Sequence, residues 1–68
     1  MQLSTRNQLK GKVTDVQLGG IMAEVTVEVS GQQTVVAAIT RRSAEQLALA
    51  AGDEVTVLIK ATEVMLGK

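Results

Sequence analysis

Three short runs in this sequence concentrate hydrogen-bond donors. Ser4-Thr5-Arg6-Asn7-Gln8 precedes the first apolar stretch, Thr40-Arg41-Arg42-Ser43 lies mid-chain, and Lys60-Ala61-Thr62 lies near the end. Arg supplies a planar fork of N–H donors, Lys a point charge and Ser a hydroxyl. Gathered together, such groups suit a small oxyanion. Each run also has a plainer reading. Ser43 serves equally as a helix N-cap, Arg41 and Arg42 as solvated charges, and Arg6 and Lys60 as ordinary surface cations.

Other chemistry lacks its residues. The 68-residue chain has no His and no Cys, which removes the usual general base, thiolate nucleophile, zinc ligands and disulfides. The carboxylates do not cluster. Glu24 and Glu28 sit four residues apart on a strand pattern, about 13 Å at ~3.3 Å per residue. Asp53 and Glu54 fall in a turn. No catalytic constellation emerges, and no enzymatic activity is expected. Aromatic residues are absent and seven cations balance seven anions. A stacking platform or broad basic footprint for nucleic acid is therefore not expected. No apolar run approaches the ~18 residues of a membrane span, and the start of the sequence lacks a secretory signal. A cytoplasmic location is the expectation, with no membrane partner.

Strand patterns must position these donors. Ile21, Ala23, Val25, Val27 and Val29 alternate with Met22, Glu24, Thr26 and Glu28, the period of a half-buried strand. Ser30-Gly31-Gln32 turns the chain, and Val35, Ala37 and Ile39 resume the alternation, giving a hairpin. In the preceding strand Leu9, Gly11 and Val13 share one phase, and Val16 and Leu18 the other. A β-bulge near Thr14 and Asp15 accounts for that slip. Val55, Val57 and Ile59 form a fourth strand, and Val64 and Leu66 a short fifth. Ser43-Ala44-Glu45-Gln46 matches a capping box, with Leu47 to Ala51 continuing the helix until Gly52. The expected class is all-β, a five-stranded OB-like Greek-key barrel with one short helix between the third and fourth strands, forming one domain over residues 1–68. So short a chain buries little surface alone, yet 46% of its residues are hydrophobic. Association with further copies of itself follows as an expectation.

Ser4-Thr5-Arg6-Asn7-Gln8-Leu9-Lys10-Gly11-Lys12-Val13 resembles the opening motif of the Mop domain, the molybdate-binding module of the molbindins. Ala23-Glu24-Val25, Ala38-Ile39-Thr40 with Ser43, Gly52-Asp53-Glu54-Val55 and Ile59-Lys60-Ala61-Thr62-Glu63-Val64 extend the resemblance in order. It covers essentially the whole chain. The resemblance implies an OB-like barrel, a homohexamer built as a trimer of dimers, and binding of molybdate, with tungstate as a further ligand, at subunit interfaces. It implies a dimer-interface site using Ser4, Arg6, Lys60 and the Ala61 backbone N–H, with Ser43 from a neighbouring subunit. Thr5 stands where the family often has Ala, and Asn7 either touches the ligand or holds the loop. The resemblance also implies sites on the threefold axis, in the region of Gly20, Ile21, Met22 and Thr40. Intracellular molybdenum storage is the implied role. A small OB-type module for nucleic acid or a protein partner, without oxyanion binding, is the alternative.

Overall fold

Four antiparallel strands and one short helix make up the computed structural model, which describes residues 5–68. β1 spans Asn7–Leu18, β2 Met22–Val29, β3 Gln33–Thr40, α1 Arg41–Gln46 and β4 Glu54–Ile59. The sheet order is β3-β2-β1-β4, so β1 is central and β3 and β4 are the edges. Short 3₁₀ turns occupy Ser30–Gln32 and Ala61–Glu63.

The alternation in β2 carries the core. Ala23, Val25 and Val27 are buried, and Val25 and Val27 join Val13 in the central cluster. Val16, Val29, Ile39, Leu49, Val55 and Val57 pack around it. Ile21 departs from its expected place on this inward face. It precedes β2, in the turn, and is 81% exposed. The hairpin forms where Gly31 and Gln32 take positive φ, at 75° and 60°. Its register runs from Val29 opposite Gln33 to Met22 opposite Thr40.

The expected bulge is present. Val13 pairs with Val27 and Asp15 with Thr26, leaving Thr14 as the extra residue. The slip lets β1 serve two partners. Asn7 to Lys12 pair with β4, and Lys12 to Leu18 pair with β2.

Two expectations need correction. The helix begins at Arg41, with Thr40 as its N-cap, and it ends at Gln46. Leu47 to Ala51 do not continue it. Ala48 adopts φ 51°, while Ala48 N–H donates to Glu45 O and Leu49 N–H to Ala44 O. Those two bonds define a Schellman ending, with Ala where glycine is preferred. Tertiary packing overrides helix propensity here, because the reversal delivers Leu49 to the core. The left-handed conformation costs a residue with a Cβ about 1–2 kcal/mol. Ala48→Gly should therefore stabilise the protein by about 0.5–1 kcal/mol after the added freedom of the unfolded chain is counted. Urea denaturation would measure it.

The second correction concerns Val64 and Leu66. They form no fifth strand in the single chain, and they follow the 3₁₀ turn as exposed residues. The closed five-stranded barrel is thus replaced, among the described residues, by a bent four-stranded sheet with two edges. Among the described residues no helix is long and apolar enough to cross a membrane.

Candidate functional site

Pairing between β1 and β4 brings the first and third donor runs together. Asn7 lies opposite Ile59, and its side-chain Nδ2 donates to Ile59 O at 3.0 Å. That bond holds the junction where the two strands separate. Arg6 and Lys60 each lie one residue beyond this ladder, so the first and third donor runs leave the sheet at the same end. Gln8 Nε2 donates to Thr5 O at 2.9 Å, fixing the approach to β1. On the other side Glu63 N–H donates to Lys60 O at 2.8 Å, closing the 3₁₀ turn that starts at Ala61. The first N–H groups of such a turn have no partner within it, which leaves the Ala61 N–H a donor without a bond inside the turn. Ser4, the remaining member expected here, lies outside the described residues.

The electrostatics of this cluster are one-sided. Arg6 and Lys60 are both exposed, and the one ion pair among the described residues is Arg41 with Glu45, at 3.7 Å. No described carboxylate neutralises either cation. Like charges held at the same end of a sheet repel one another. A bound anion would reverse the sign of that interaction.

The second cluster sits at the opposite end of β1. Leu18 closes the β1–β2 ladder, and Gly19 N–H donates to Met22 O at 2.7 Å across the following turn. Arg41 grips this turn twice. Its N–H donates to Ile21 O at 2.7 Å and its Nη1 to Gly19 O at 3.0 Å. Read from sequence as a solvated charge, Arg41 is a positioning residue, and the signal that identifies it is its place directly after the strand that pairs with Met22. Thr40 lies opposite Met22, so Gly20, Ile21, Met22 and Thr40 gather in one region.

Ser43 belongs to this second cluster, three residues into the helix. Its N–H donates to Thr40 Oγ1 at 3.1 Å, and the Thr40 hydroxyl donates to Ser43 Oγ at 2.8 Å. The Ser43 hydroxyl, accepting from Thr40, keeps its own hydrogen to donate. Thr40, not Ser43, is the cap. Thr40→Val keeps the shape and the strand preference but removes both bonds. It should cost about 0.5–2 kcal/mol, readable as a lower melting temperature.

Ser43 therefore does not join Arg6 and Lys60 within one chain, because twelve residues of β1 separate the two clusters. Midway between them is an open hollow of about 640 Å³ lined in part by Lys10, Lys12, Glu28 and Glu54. Lys12 lies directly opposite both Glu28 and Glu54, so the charges there cancel and the hollow suits no free anion.

Comparison with known proteins identifies the family. Residues 3–66 match the TOBE domain family. Molybdenum-pterin-binding protein 1 of Clostridium pasteurianum is 44% identical over 66 residues, covering 97% of each chain. The chain belongs to the Mop family. Among solved structures, a Mop relative described as a molybdate-binding protein from Sporomusa ovata superposes with a TM-score of 0.93 at 40% identity, over the full length of both chains. The cytoplasmic molybdate-binding protein ModG, solved with molybdate bound, superposes with a TM-score of 0.86 at 41% identity. That match covers 90% of this Mop chain and 43% of ModG.

Proposed function

We propose that this protein binds molybdate, without catalysing a reaction, at interfaces between copies of itself. The observation that carries the reading is the pairing of Asn7 with Ile59, which brings the strand ends that carry Arg6 and Lys60 to one end of the sheet, with neither cation in an ion pair among the described residues. Relatives named for molybdate binding or for molybdenum-pterin binding support the same ligand.

The chemistry of the donor set favours this anion. Molybdate is a tetrahedral dianion at neutral pH, with acceptors on every corner and no proton to give. Arg6, Lys60, Ala61 N–H, the Ser43 hydroxyl and the hydroxyls of Ser4 and Thr5 all donate. Two cations match two negative charges. Protonated phosphate would set its own O–H against a donor, an unmet polar contact costing ~1–3 kcal/mol. Sulfate shares the charge and shape of molybdate, so cavity size must reject it. Tungstate, close to molybdate in size and charge, should bind as well. Asn7 is assigned to holding the loop through Ile59.

A complete site draws Ser43 from a neighbouring copy, because one chain keeps Ser43 at the far end of β1. The assembly proposed is a homohexamer arranged as a trimer of dimers, each chain one domain over residues 1–68. The region of Gly20, Ile21, Met22 and Thr40 supplies a second class of site on the threefold axis, built from main-chain groups. The role proposed is molybdenum storage and homeostasis in the cytoplasm.

A calorimetric titration with molybdate, repeated in excess sulfate and phosphate, tests the reading. Saturable heat that survives both competitors is the expected result. Molybdate at a hundred times its Kd should also stabilise the fold by about 2.7 kcal/mol, visible as a raised melting temperature. Absence of both effects, with molybdate and with tungstate, would leave an OB-type interaction module without a ligand.

A further inference from the structure

Each of the two cations at the open end of the β1–β4 pair follows a peptide whose carbonyl is held by a side chain. Asn7 Nδ2 donates to Ile59 O, the carbonyl of the peptide that leads into Lys60, at 3.0 Å. Gln8 Nε2 donates to Thr5 O, the carbonyl of the peptide that leads into Arg6, at 2.9 Å. The two amides are neighbours on β1, so their side chains leave on opposite faces of the strand. One reaches across to the end of β4, and the other reaches back three residues along its own chain.

These contacts fix more than two oxygen atoms. A peptide unit is planar from one Cα to the next, so holding its oxygen sets the plane that contains the following Cα. The Asn7 bond thereby orients the backbone from which the Lys60 side chain springs, and the Gln8 bond does the same for Arg6. Both cations lie just beyond the last rung of the β1–β4 ladder, where strand pairing no longer fixes the backbone. They repel one another, and neither has an ion pair among the described residues. Strand ends left unheld would splay. A neutral amide suits the task, because it donates to a carbonyl without adding positive charge, as Lys would, and without offering an anion a competing carboxylate, as Glu would.

We propose that Gln8 is a positioning residue of the oxyanion site. It sets the Thr5–Arg6 peptide before the anion arrives, as Asn7 sets the Ile59–Lys60 peptide. Gln8 acts without touching the ligand. It removes from the free protein a motion that binding would otherwise have to arrest, and so strengthens binding by preorganisation. The inference rests on the reading that Arg6 binds molybdate, and adds a residue that acts through it.

The test uses the full chain and Gln8→Met, which keeps the length and neutrality of the side chain and removes the donor. Gln8 is exposed and lies outside the core, so the melting temperature should stay within about 3 °C of the unaltered chain. Molybdate affinity, measured by calorimetry, should fall about three- to tenfold. In an Arg6→Ala background the same substitution should cost less than about twofold, because the side chain that Gln8 positions is gone. Amide relaxation measured by NMR adds a readout in the absence of ligand. The Arg6 N–H should become more mobile in Gln8→Met and regain its order with saturating molybdate, while those of Val25 and Val27 stay as they are. Equal affinity in the variant and the unaltered chain would overturn the proposal. So would an equal loss in both backgrounds, or an Arg6 N–H as ordered in the variant as in the unaltered chain. Titration of the unaltered chain tells the two failures apart. No heat there overturns the oxyanion reading on which the proposal rests, whereas heat there with equal affinity in Gln8→Met overturns the positioning role alone.

Discussion

Replacing Arg6 with alanine will weaken molybdate binding about a hundredfold or more, and replacing Lys60 about ten- to a hundredfold. A hydrogen bond from a charged donor contributes ~1.5–3 kcal/mol, and each ~1.4 kcal/mol is a factor of ten in Kd. The guanidinium can present two parallel donors where the ammonium acts as a point charge, hence the larger loss at Arg6. Arg6→Lys keeps the charge and loses the fork, so it should fall between the two. The fold should hardly notice. Both side chains are exposed and lie outside the core, and exposed substitutions of this kind shift stability by ~0.5 kcal/mol or less. Without ligand the melting temperature should rise slightly if it moves, because one of two neighbouring like charges is gone. Calorimetry and thermal melts on the same samples check both halves. Unchanged affinity in either alanine variant would remove that side chain from the site.

The strand framework could be read from the residues because it rests on local alternation. Val25 and Val27 are buried where the period-two pattern puts them, and the phase slip between Val13 and Val16 marks the bulge at Thr14. The misplaced helix shows where local reading ends. Leu47 to Ala51 have the composition of a helix, but Leu49 gains more by turning into the core than by continuing the spiral. Ile21 kept the alternation and lost the strand, because the turn gripped by Arg41 claims it. Val64 and Leu66 carry a strand pattern with no strand of their own chain to join. As for the donors, spacing alone could not join Arg6 to Lys60, which are 54 positions apart in the sequence. The register of Asn7 opposite Ile59 brings the two runs to the same end of the sheet. The expectation that both serve one site came from resemblance.

A second large effect is expected at Gly11, from packing and not from backbone strain. A Cβ built there would lie 2.6 Å from Val27 Cγ1 and 2.7 Å from the backbone oxygen of Glu28, with Val29 Cγ1 at 3.2 Å. Val27 is buried among Val13 and Val25, so its methyl has little room to retreat. The Glu28 carbonyl belongs to β2 and moves only with the strand. Gly11 is where β1 passes under the end of β2 while pairing with Val55 of β4. Gly11→Ala should cost about 2–3 kcal/mol, toward the upper end for an overpacked core. For a chain of this size that corresponds to a melting temperature roughly 10–20 °C lower. Adding Val27→Ala removes the methyl contact but leaves the carbonyl, so rescue should be partial. A Gly11→Ala variant that melts with the unaltered protein would show that the two strands can separate at little cost.

The bulge at Thr14 has a consequence for the lengths that this chain can tolerate. Because Thr14 is an unpaired extra residue, it sets the in-or-out parity of everything between it and Asn7 relative to β2. Removing Thr14 would leave Val13 opposite Val27 and Asp15 opposite Thr26 in an unbroken ladder, whereas removing a residue between Asn7 and Lys12, where no extra residue can absorb the loss, would exchange faces along that half of the strand and turn lysines toward the valine cluster. The exposed hairpin tip at Ser30–Gln32 has no such parity to keep, since it only joins two strands that are already in register. Insertions and deletions should therefore accumulate at that tip and be purged from the Asn7–Lys12 half of β1, so that the spacing from Arg6 to the valine core is inherited as a fixed length even where its residues change.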